Sequence, residues 1–356
     1  MRDRILRILS SYRKDDIRIG TIGSHSALNI LRGAKDEGFE TVCICRERER
    51  FVYENFGVAD HFITVEDFRD LLNENVQKKL RERNVILIPH GSYNAYIGSL
   101  YNLEIPIFGN RVLMEWETLR EKQREWLLES GLKVPKTYPS PEEINGPVIV
   151  KYPGARGGSG YYIASSPEEF WRKANELVNR GIISQEDLKN AHIQQYIIGV
   201  PAYFSFFYSP VRERIELIAI DRRYESNVDG IGRITAKDQN EMNIIPTYTV
   251  VGNIPIVVRE SLLSRIMEDG MKVYEHSKKV AEPGMVGPFC LESIIDEKGE
   301  IYYFEISARI VAGSTVGIPA SPYSYVLFGE NMYMGRRIAL EIRLAIEKDM
   351  LGELIF

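Results

Sequence analysis

The residues best placed to do chemistry lie in Pro147-Val-Ile-Val-Lys-Tyr-Pro-Gly-Ala-Arg-Gly-Gly-Ser-Gly160, an apolar strand pattern that ends in a lysine and runs straight into a glycine loop. Lys151 is a fixed positive charge at the strand end. Gly154, Gly157, Gly158 and Gly160, with Ser159 among them, let backbone N–H groups close over a polyphosphate such as that of ATP, where larger side chains would block the approach. This is not a Walker P-loop, because the lysine precedes the glycines instead of following them. Alone, a glycine-rich turn between strands is more often just a hairpin, so the phosphate reading depends on a second site.

That second site is Gly287-Pro-Phe-Cys-Leu-Glu-Ser-Ile-Ile-Asp-Glu-Lys-Gly-Glu-Ile-Tyr-Tyr-Phe-Glu-Ile-Ser-Ala-Arg309, two apolar β-rich runs around a Glu-Lys-Gly-Glu turn, which is a hairpin signal. With Lys298 and Gly299 at the turn centre, Glu297 faces Glu300 and Glu292 faces Glu305. Directly opposed like charges destabilise a strand pair, and burial beside Ile294, Ile301 and Tyr303 sharpens the conflict. A divalent cation removes it. Mg²⁺ (or Mn²⁺) is held by one or two carboxylates plus nucleotide phosphates rather than by a full protein cage, so the pair suits a metal–nucleotide complex. The competing reading, a solvated ribbon with two surface glutamates, sits poorly with such apolar flanks.

The elements that must position these residues follow from periodicity. Residues 17–22 read as a strand, Gly23-Ser-His-Ser26 as a tight loop and 27–37 as a helix closed by Gly38; then 41–45 is a strand, 68–82 a helix, 85–89 a strand, and His90-Gly-Ser-Tyr93 a loop. This alternation predicts a doubly wound parallel sheet with ligands at the carboxyl ends of its strands. His25 and Ser92 both fall there. Ser24 to Ala27 would offer N–H groups at a helix N-terminus, an anion site, with simple N-capping by Ser24 or Ser26 as the alternative.

Residues 111–129 read as one charged helix carrying Trp116, Lys122 and Trp126, with Lys122 on a solvated face. Residues 166–181 form a further helix, and Ala191-His-Ile-Gln-Gln-Tyr-Ile197 a strand whose His192 is structural. Arg222, Arg223, Glu225, Arg233 and Lys237 form a charged stretch following a strand over 215–220 and line part of a site wall. The last helix, with Met332, Met334, Ile338, Leu340, Ile342 and Leu344, reads as a core helix, an interface being the alternative. The predicted fold class is α/β: an N-terminal doubly wound, Rossmann-like domain over 1–112, then an α+β domain over 113–356 with a lid subdomain at about 135–195.

Composition narrows the function classes. The chain has 356 residues, 44% of them hydrophobic, enough for a substantial core in two domains. A net charge of −5 with dispersed basic residues excludes an electrostatic footprint for nucleic acid or an acidic membrane. Cys43, Cys45 and Cys290 are too few and too awkwardly spaced for a disulfide framework or a zinc site. Met1-Arg-Asp-Arg-Ile-Leu-Arg7 opens as an amphipathic helix rather than a signal peptide, so a cytoplasmic protein is expected.

Together, the strand lysine, the glycine loop and the late acidic pair resemble the ATP-grasp superfamily. The resemblance extends over nearly the whole chain to archaeal-type, formate-dependent FAICAR synthetases (the PurP family). It is carried by Gly23-Ser-His-Ser26, Pro89-His-Gly-Ser92, Val150-Lys-Tyr-Pro-Gly-Ala-Arg-Gly-Gly158, Arg223-Tyr-Glu-Ser-Asn-Val-Asp-Gly230, Ala236-Lys-Asp-Gln239, Val251-Gly-Asn-Ile-Pro255, Gly287-Pro-Phe-Cys290 and Phe304-Glu-Ile-Ser-Ala-Arg309.

What the resemblance implies is an ATP-grasp domain after the Rossmann-like one and a ligase joining formate to the amine of the ribonucleotide AICAR through formyl phosphate. Its cofactors would be ATP and Mg²⁺ (or Mn²⁺), and the assembly a homo-oligomer, trimer or hexamer. By the same resemblance Glu292 and Glu305 ligate the metal. Lys151, Gly157, Gly158, Ser159 and Gly160 hold phosphates; Gln194, Tyr196 and Ile197 form the adenine hinge; Glu225 contacts the nucleotide; His25, Ser92 and Asn253 contact AICAR; and Arg309 acts with Lys151 on the transferring group.

One stretch departs from the family pattern. After Ser-Ala-Arg309 that pattern continues as Asp-Gly-Gly-Thr-Asn, whereas this chain has Ile310-Val-Ala-Gly-Ser-Thr315, with Val311 and Thr315 in place of an acid and an amide. The alternatives this leaves open are a ligase of the same lineage with another carboxylate or amine, and a non-catalytic nucleotide-binding paralogue.

Overall fold

In the computed structural model, which describes residues 1–152, 160–242, 244, 246–311 and 321–356, the first strands are β1 (Arg18–Ile22), β2 (Thr41–Cys45), β3 (His61–Thr64) and β4 (Val85–Leu87). They form a parallel sheet in the order β3-β2-β1-β4. β2 and β4 are buried along their whole length, as strands of a sheet covered on both faces must be. The order reverses between β1 and β4. Their carboxyl ends therefore open a crevice at a topological switch point, where ligands bind in such sheets.

Two helices expected to be continuous are broken. Over 68–82 the chain makes a 3-10 turn, Phe68–Leu72, and then a helix, Glu74–Arg81. The Asp70 carboxylate accepts the N–H groups of Glu66 and Asp67 at 3.1 Å, a local bond that competes with helix continuation. Over 111–129 the helices are Arg111–Trp116 and Arg120–Glu129, and the Thr118 hydroxyl donates to the Glu115 carbonyl at 2.7 Å where the first one ends.

A small antiparallel sheet, order β5-β8-β6-β7, comprises β5 (Thr137–Tyr138), β6 (Val148–Lys151), β7 (Tyr162–Ala164) and β8 (His192–Gln195). It has its own core, in which Val148, Val150 and Ile193 pack on Phe170 of the helix Pro167–Asn179.

The central feature is a five-stranded antiparallel sheet, order β11-β10-β9-β12-β13, of β9 (Gly199–Ser209), β10 (Arg214–Asn227), β11 (Tyr248–Pro255), β12 (Gly287–Asp296) and β13 (Ile301–Ser307). The charged residues Arg222, Arg223 and Glu225 do not follow a strand, as the sequence suggested; they belong to β10, which runs on to Asn227. One face of the sheet presents Phe204, Phe206, Leu291 and Ile306 to the core shared with Ile266 and Val273 of the helix Glu260–Val280. Directly paired residues of an antiparallel sheet share a face, so the register places Asp221, Tyr203, Glu292 and Glu305 in one row on the other face.

The last helix, Met334–Glu347, is a core helix. It crosses the helix Ala27–Asp36 where Gly33 meets the Gly335 backbone so closely that no Cβ would fit. It also reaches the five-stranded sheet through Arg337, which donates to Glu216 at 2.6 Å and Glu341 at 2.9 Å. The two sheets are thus fastened to a common element. No helix among the described residues is long and apolar enough to cross a membrane.

Candidate active site

The acidic pair forms as the hairpin predicted, but by a different route. Asp296 closes the turn on Glu300, with its N–H donating to the Glu300 carbonyl at 3.0 Å, and Gly299 takes φ +79°. Glu300 therefore faces Asp296 and not Glu297, and a register continued from that turn would set Phe304 against Glu292. A β-bulge beside Glu292 and Ser293 shifts the register by one residue and restores Glu292 opposite Glu305. The bulge creates the carboxylate pair, which is a common use of bulges near active sites.

Glu292 is only 1% exposed. Burial first, and the Glu305 carboxylate second, raise its pKa far above the ordinary carboxylate range, against the pull of Arg223 and Arg309. Its Oε1 accepts from the Arg223 guanidinium, while Oε2 is buried with no hydrogen-bond partner among the described residues. For Arg223, burial works against the charge. Glu292, Tyr203 and Glu305 outweigh that penalty and hold its pKa above normal, and the guanidinium lies over the Tyr203 ring at 4.4 Å.

Arg309 follows β13, the strand that carries Glu305, and is held by Glu117. Its Nε donates to Glu117 Oε1 at 2.8 Å, and the Ala308 N–H donates to Glu117 Oε2 at 2.5 Å. Burial raises the Glu117 pKa, and Arg309 opposes the rise. Glu117 sits in the break between the helices Arg111–Trp116 and Arg120–Glu129, so that interruption has a use.

The parallel sheet supplies the facing wall. After β1, His25 adopts φ +53° and its Nδ1 lies 2.7 Å from the Ser26 hydroxyl, which donates to the Val311 carbonyl at 2.7 Å. After β4, His90 stacks on His25 with ring centroids 5.1 Å apart, and a backbone bridge joins His90 to Ile310. His90 donates from Nε2 to the Ile22 carbonyl at 3.0 Å and accepts the Ser92 N–H at Nδ1, 3.3 Å away, which is the bonding of a neutral ring. Burial, then Arg309, holds its pKa down to about 3. The His25 ring is open to solvent at the crevice mouth but crowded beneath; burial, His90, Arg309 and Arg223 keep it neutral. The expected row of free N–H groups at Ser24 to Ala27 is only partly free, because Ser24 and Ala27 donate to Ile22 and Ser24 carbonyls. Gly91 is the floor of this wall: a Cβ there would stand 2.7 Å from His25 Nε2 and 2.9 Å from Arg309 Cζ.

From the small sheet, Lys151 donates to Gln194 Oε1 at 2.9 Å. Burial and then Arg120 lower its pKa to about 8, while Glu305 and Glu292 lie close enough to counteract. Arg120 itself bonds the Tyr161 hydroxyl at 2.9 Å. In the hinge, Gln195 and Tyr196 donate their N–H groups to Lys136 at 2.7 Å and Pro147 at 2.9 Å, so an adenine edge would be read by the other backbone groups of 194–197. Glu225 lines an open groove of about 450 Å³ with Tyr224, Asn227, Ile231 and Val251, and its pKa is raised by burial. Tyr248 lies within electrostatic reach of both Tyr196 and Glu225, which joins hinge and groove.

Comparison with known proteins decides what family this site belongs to. A model described as a domain of unknown function (DUF1297) matches residues 169–356, and one described as a protein of unknown function (DUF1246) matches 19–138. A protein of Archaeoglobus fulgidus named 5-formaminoimidazole-4-carboxamide-1-(beta)-D-ribofuranosyl 5'-monophosphate synthetase is 65% identical, the match covering 100% of this chain and 99% of that one. Its namesake in Methanocaldococcus jannaschii is 51% identical over 99% of both. The chain belongs to this synthetase family. The crystal structure of an IMP biosynthesis protein PurP from Thermococcus kodakaraensis superposes with a TM-score of 0.75 at 31% identity, covering 95% of this chain and all of that one. N5-carboxyaminoimidazole synthetase of Staphylococcus aureus, complexed with ADP, shares the fold at TM-score 0.60 and 15% identity. The ATP-grasp assignment of the fold is therefore secure.

Of the synthetase residues expected from sequence, Lys151, Glu292, Glu305, Arg309 and His25 converge on one crevice, with Ser92 beside His90. Asn253 pairs with Arg223 across β10 and β11, and Glu225 lies along the same strand. Gly157, Gly158, Ser159 and Thr315 lie outside the described residues; Gly160 is described, with φ +80°. Val311 is buried and its carbonyl serves the Ser26 hydroxyl. Sequence reasoning passed over Arg223 in favour of Glu225, and overlooked Glu117 and Arg120. An arginine inside an apolar strand was the available signal for the first; charged residues in a helical pattern gave none for the others.

Proposed function

We propose that this chain is an ATP-dependent ligase that formylates the amine of AICAR with formate to give FAICAR, ADP and phosphate, FAICAR being the product in its relatives' name. The single observation that carries the reading is the directly opposed pair of buried Glu292 and half-buried Glu305, with a Glu292 Oε2 that has no hydrogen-bond partner among the described residues and the cations Arg223, Arg309 and Lys151 around it.

The pair fits Mg²⁺. Among the described residues no group of three or more His, Cys, Asp or Glu could hold a metal unaided, so two carboxylates with nucleotide phosphates is the fitting donor set. Glu292 and Glu305 would hold the ion, and the chemistry it would supply there is positive charge against the negative charge that develops on the transferring phosphoryl group. The chain's own residues do the rest. Lys151 and Arg309 supply fixed positive charge around the phosphoryl group as formate oxygen attacks it, giving formyl phosphate and ADP. Arg223 holds Glu292 at Oε1 and so fixes where Oε2 points. His25 and His90, both neutral, form with Gly91 a flat, uncharged floor on which the ribonucleotide lies. Its amine attacks the formyl carbon, and phosphate leaves. Enclosure between the two sheets keeps water from the acyl phosphate.

The domain division at residue 112, the lid at about 135–195, a trimeric or hexameric homo-oligomer and a cytoplasmic setting belong to the same proposal. An oligomer is supported by β11, one of the two edge strands of the five-stranded sheet, which exposes Val251 and Ile254. The test is ADP release with Mg²⁺ and ATP, with AICAR and formate added singly and together and FAICAR followed by mass. ADP and FAICAR in equal amounts only when both are present is the expected result; ATP binding without turnover would overturn the reading.

A further inference from the structure

Besides Glu292, one other carboxylate on the site face of the five-stranded sheet is left without a partner. Asp221 of β10 is 2% exposed, and its Oδ1 is buried with no hydrogen-bond partner among the described residues. It interrupts the apolar run Leu217-Ile-Ala-Ile220, where a leucine or valine would pack without cost. A buried carboxylate oxygen with nothing to accept from is expensive, and a native fold keeps one where a ligand completes it.

The space Asp221 faces is small. A cavity of about 20 Å³ is lined by Asp221, Ser205, Cys290, Arg309, Ile310 and Tyr333. That is room for one water or one small polar group and not for a ring or a phosphate. Arg309 belongs to this cavity and to the crevice above Gly91 alike, so the cavity is the deep end of the site already described. The register agrees. Asp221 pairs with Tyr203, and Tyr203 pairs with Glu292, so Asp221 and Glu292 stand on the same face two strand spacings apart, roughly 10 Å. Burial raises the Asp221 pKa to about 7, which suits a group that takes up and releases a proton near neutrality.

We propose that Asp221 accepts the proton which the substrate amine loses on formylation. The inference rests on the reaction proposed above. The amine nitrogen lone pair forms the bond to the formyl carbon, the bond from that carbon to the phosphate oxygen breaks with its electron pair going to the phosphate, and one N–H proton passes to Asp221 Oδ1. The donor that the carboxylate lacks is then the substrate N–H itself, the small polar group for which the cavity has room. A base placed there acts only on the second half of the reaction, because forming the acyl phosphate from formate and ATP transfers no proton from nitrogen.

The experiment is Asp221→Asn in the full chain with Mg²⁺, ATP, formate and AICAR, measuring ADP and FAICAR together. FAICAR output should fall about 100-fold or more, while ADP released per FAICAR made rises well above the one-to-one ratio of the native protein, because acyl phosphate still forms and drains to water. The ratio does not depend on how much of the variant is folded, and Asp221→Ser, which removes the buried amide, serves if the Asn variant is not recovered. FAICAR output within about threefold of native, or ADP and FAICAR falling together at one to one, overturns the assignment. A native protein that makes no FAICAR overturns the reaction itself, and the role of Asp221 with it.

Discussion

On the parallel-sheet wall of the crevice, His25, Ser26, His90 and Ser92 bond one another, nearby carbonyls and the strand ends, and both imidazoles are held neutral. On the antiparallel wall, buried Glu292 faces half-buried Glu305 and keeps an oxygen without a partner among the described residues, and Asp221 does the same two strands away. The first wall is complete without ligand. The second is stable only because its cost is met elsewhere in a well-packed sheet, and it is the wall that a cation, a nucleotide and an amine would complete. The difference assigns shape to one side and chemistry to the other.

The strongest way to break that division is to neutralise the chemical wall. Glu305→Gln or Glu292→Gln should lower Mg²⁺-dependent ADP release about 1000-fold, equivalent to about 4 kcal/mol of transition-state stabilisation. A loss below tenfold in either would mean that the pair is merely structural. Next comes Glu117, which touches Arg309 and no substrate. Glu117→Gln loosens the guanidinium, and a misplacement of about 1 Å costs on the order of 100-fold. Turnover should fall by that order with the KM for ATP unchanged, whereas a purely structural role would lower thermal stability without this split.

How much of this was legible beforehand differs between the walls for a physical reason. Strand alternation and the loops after β1 and β4 were readable because periodicity and turn chemistry are local. The Glu292–Glu305 pairing was also reached, although through a turn centre one position off, because the bulge near Phe304 compensates for the three-residue turn. Bulges leave no local signature, so the true route was hidden. Glu117, Arg120 and Asp221 were not legible at all as site residues. Glu117 and Arg120 bond partners far away in sequence, Arg309 and Tyr161, and Asp221 faces a cavity whose lining comes from separate strands and the last helix, so only the assembled fold brings these groups together. Of the glycine segment, Lys151 and Gly160 are among the described residues.

A substitution on the shape wall should act differently in kind. Gly91→Ala introduces a methyl 2.7 Å from His25 Nε2 and 2.9 Å from Arg309 Cζ. Both neighbours must shift, so the KM for the ribonucleotide should rise about tenfold while the KM for ATP stays within about twofold, the range of one displaced contact. Equal effects on both would mean that the two walls are not separable.

The smallest effect is on stability, and it tests the origin of the cost. Glu292 has its pKa raised by burial and by Glu305, to about 8 from the ordinary 4.5. The unfolded chain carries the ordinary value, so between these limits the folded state binds more protons than the unfolded one. Stability from this group is then full below the unfolded pKa and lost as pH rises through the folded one. Glu292→Gln has no such titration. Without metal or nucleotide, the Tm of the variant minus that of the native protein should therefore grow between pH 6 and pH 9, by about 3 °C, a change of about 2 kcal/mol in a chain of this size. The comparison is made between two proteins at each pH because His25 and His90, whose pKa values are not shifted by Glu292, titrate in both and cancel. Saturating Mg²⁺ and ATP should reduce the difference, since a cation at the pair stabilises the charged form that burial penalises. A difference that stays flat with pH would mean that Arg223 alone neutralises Glu292, leaving no charge for a metal to complete.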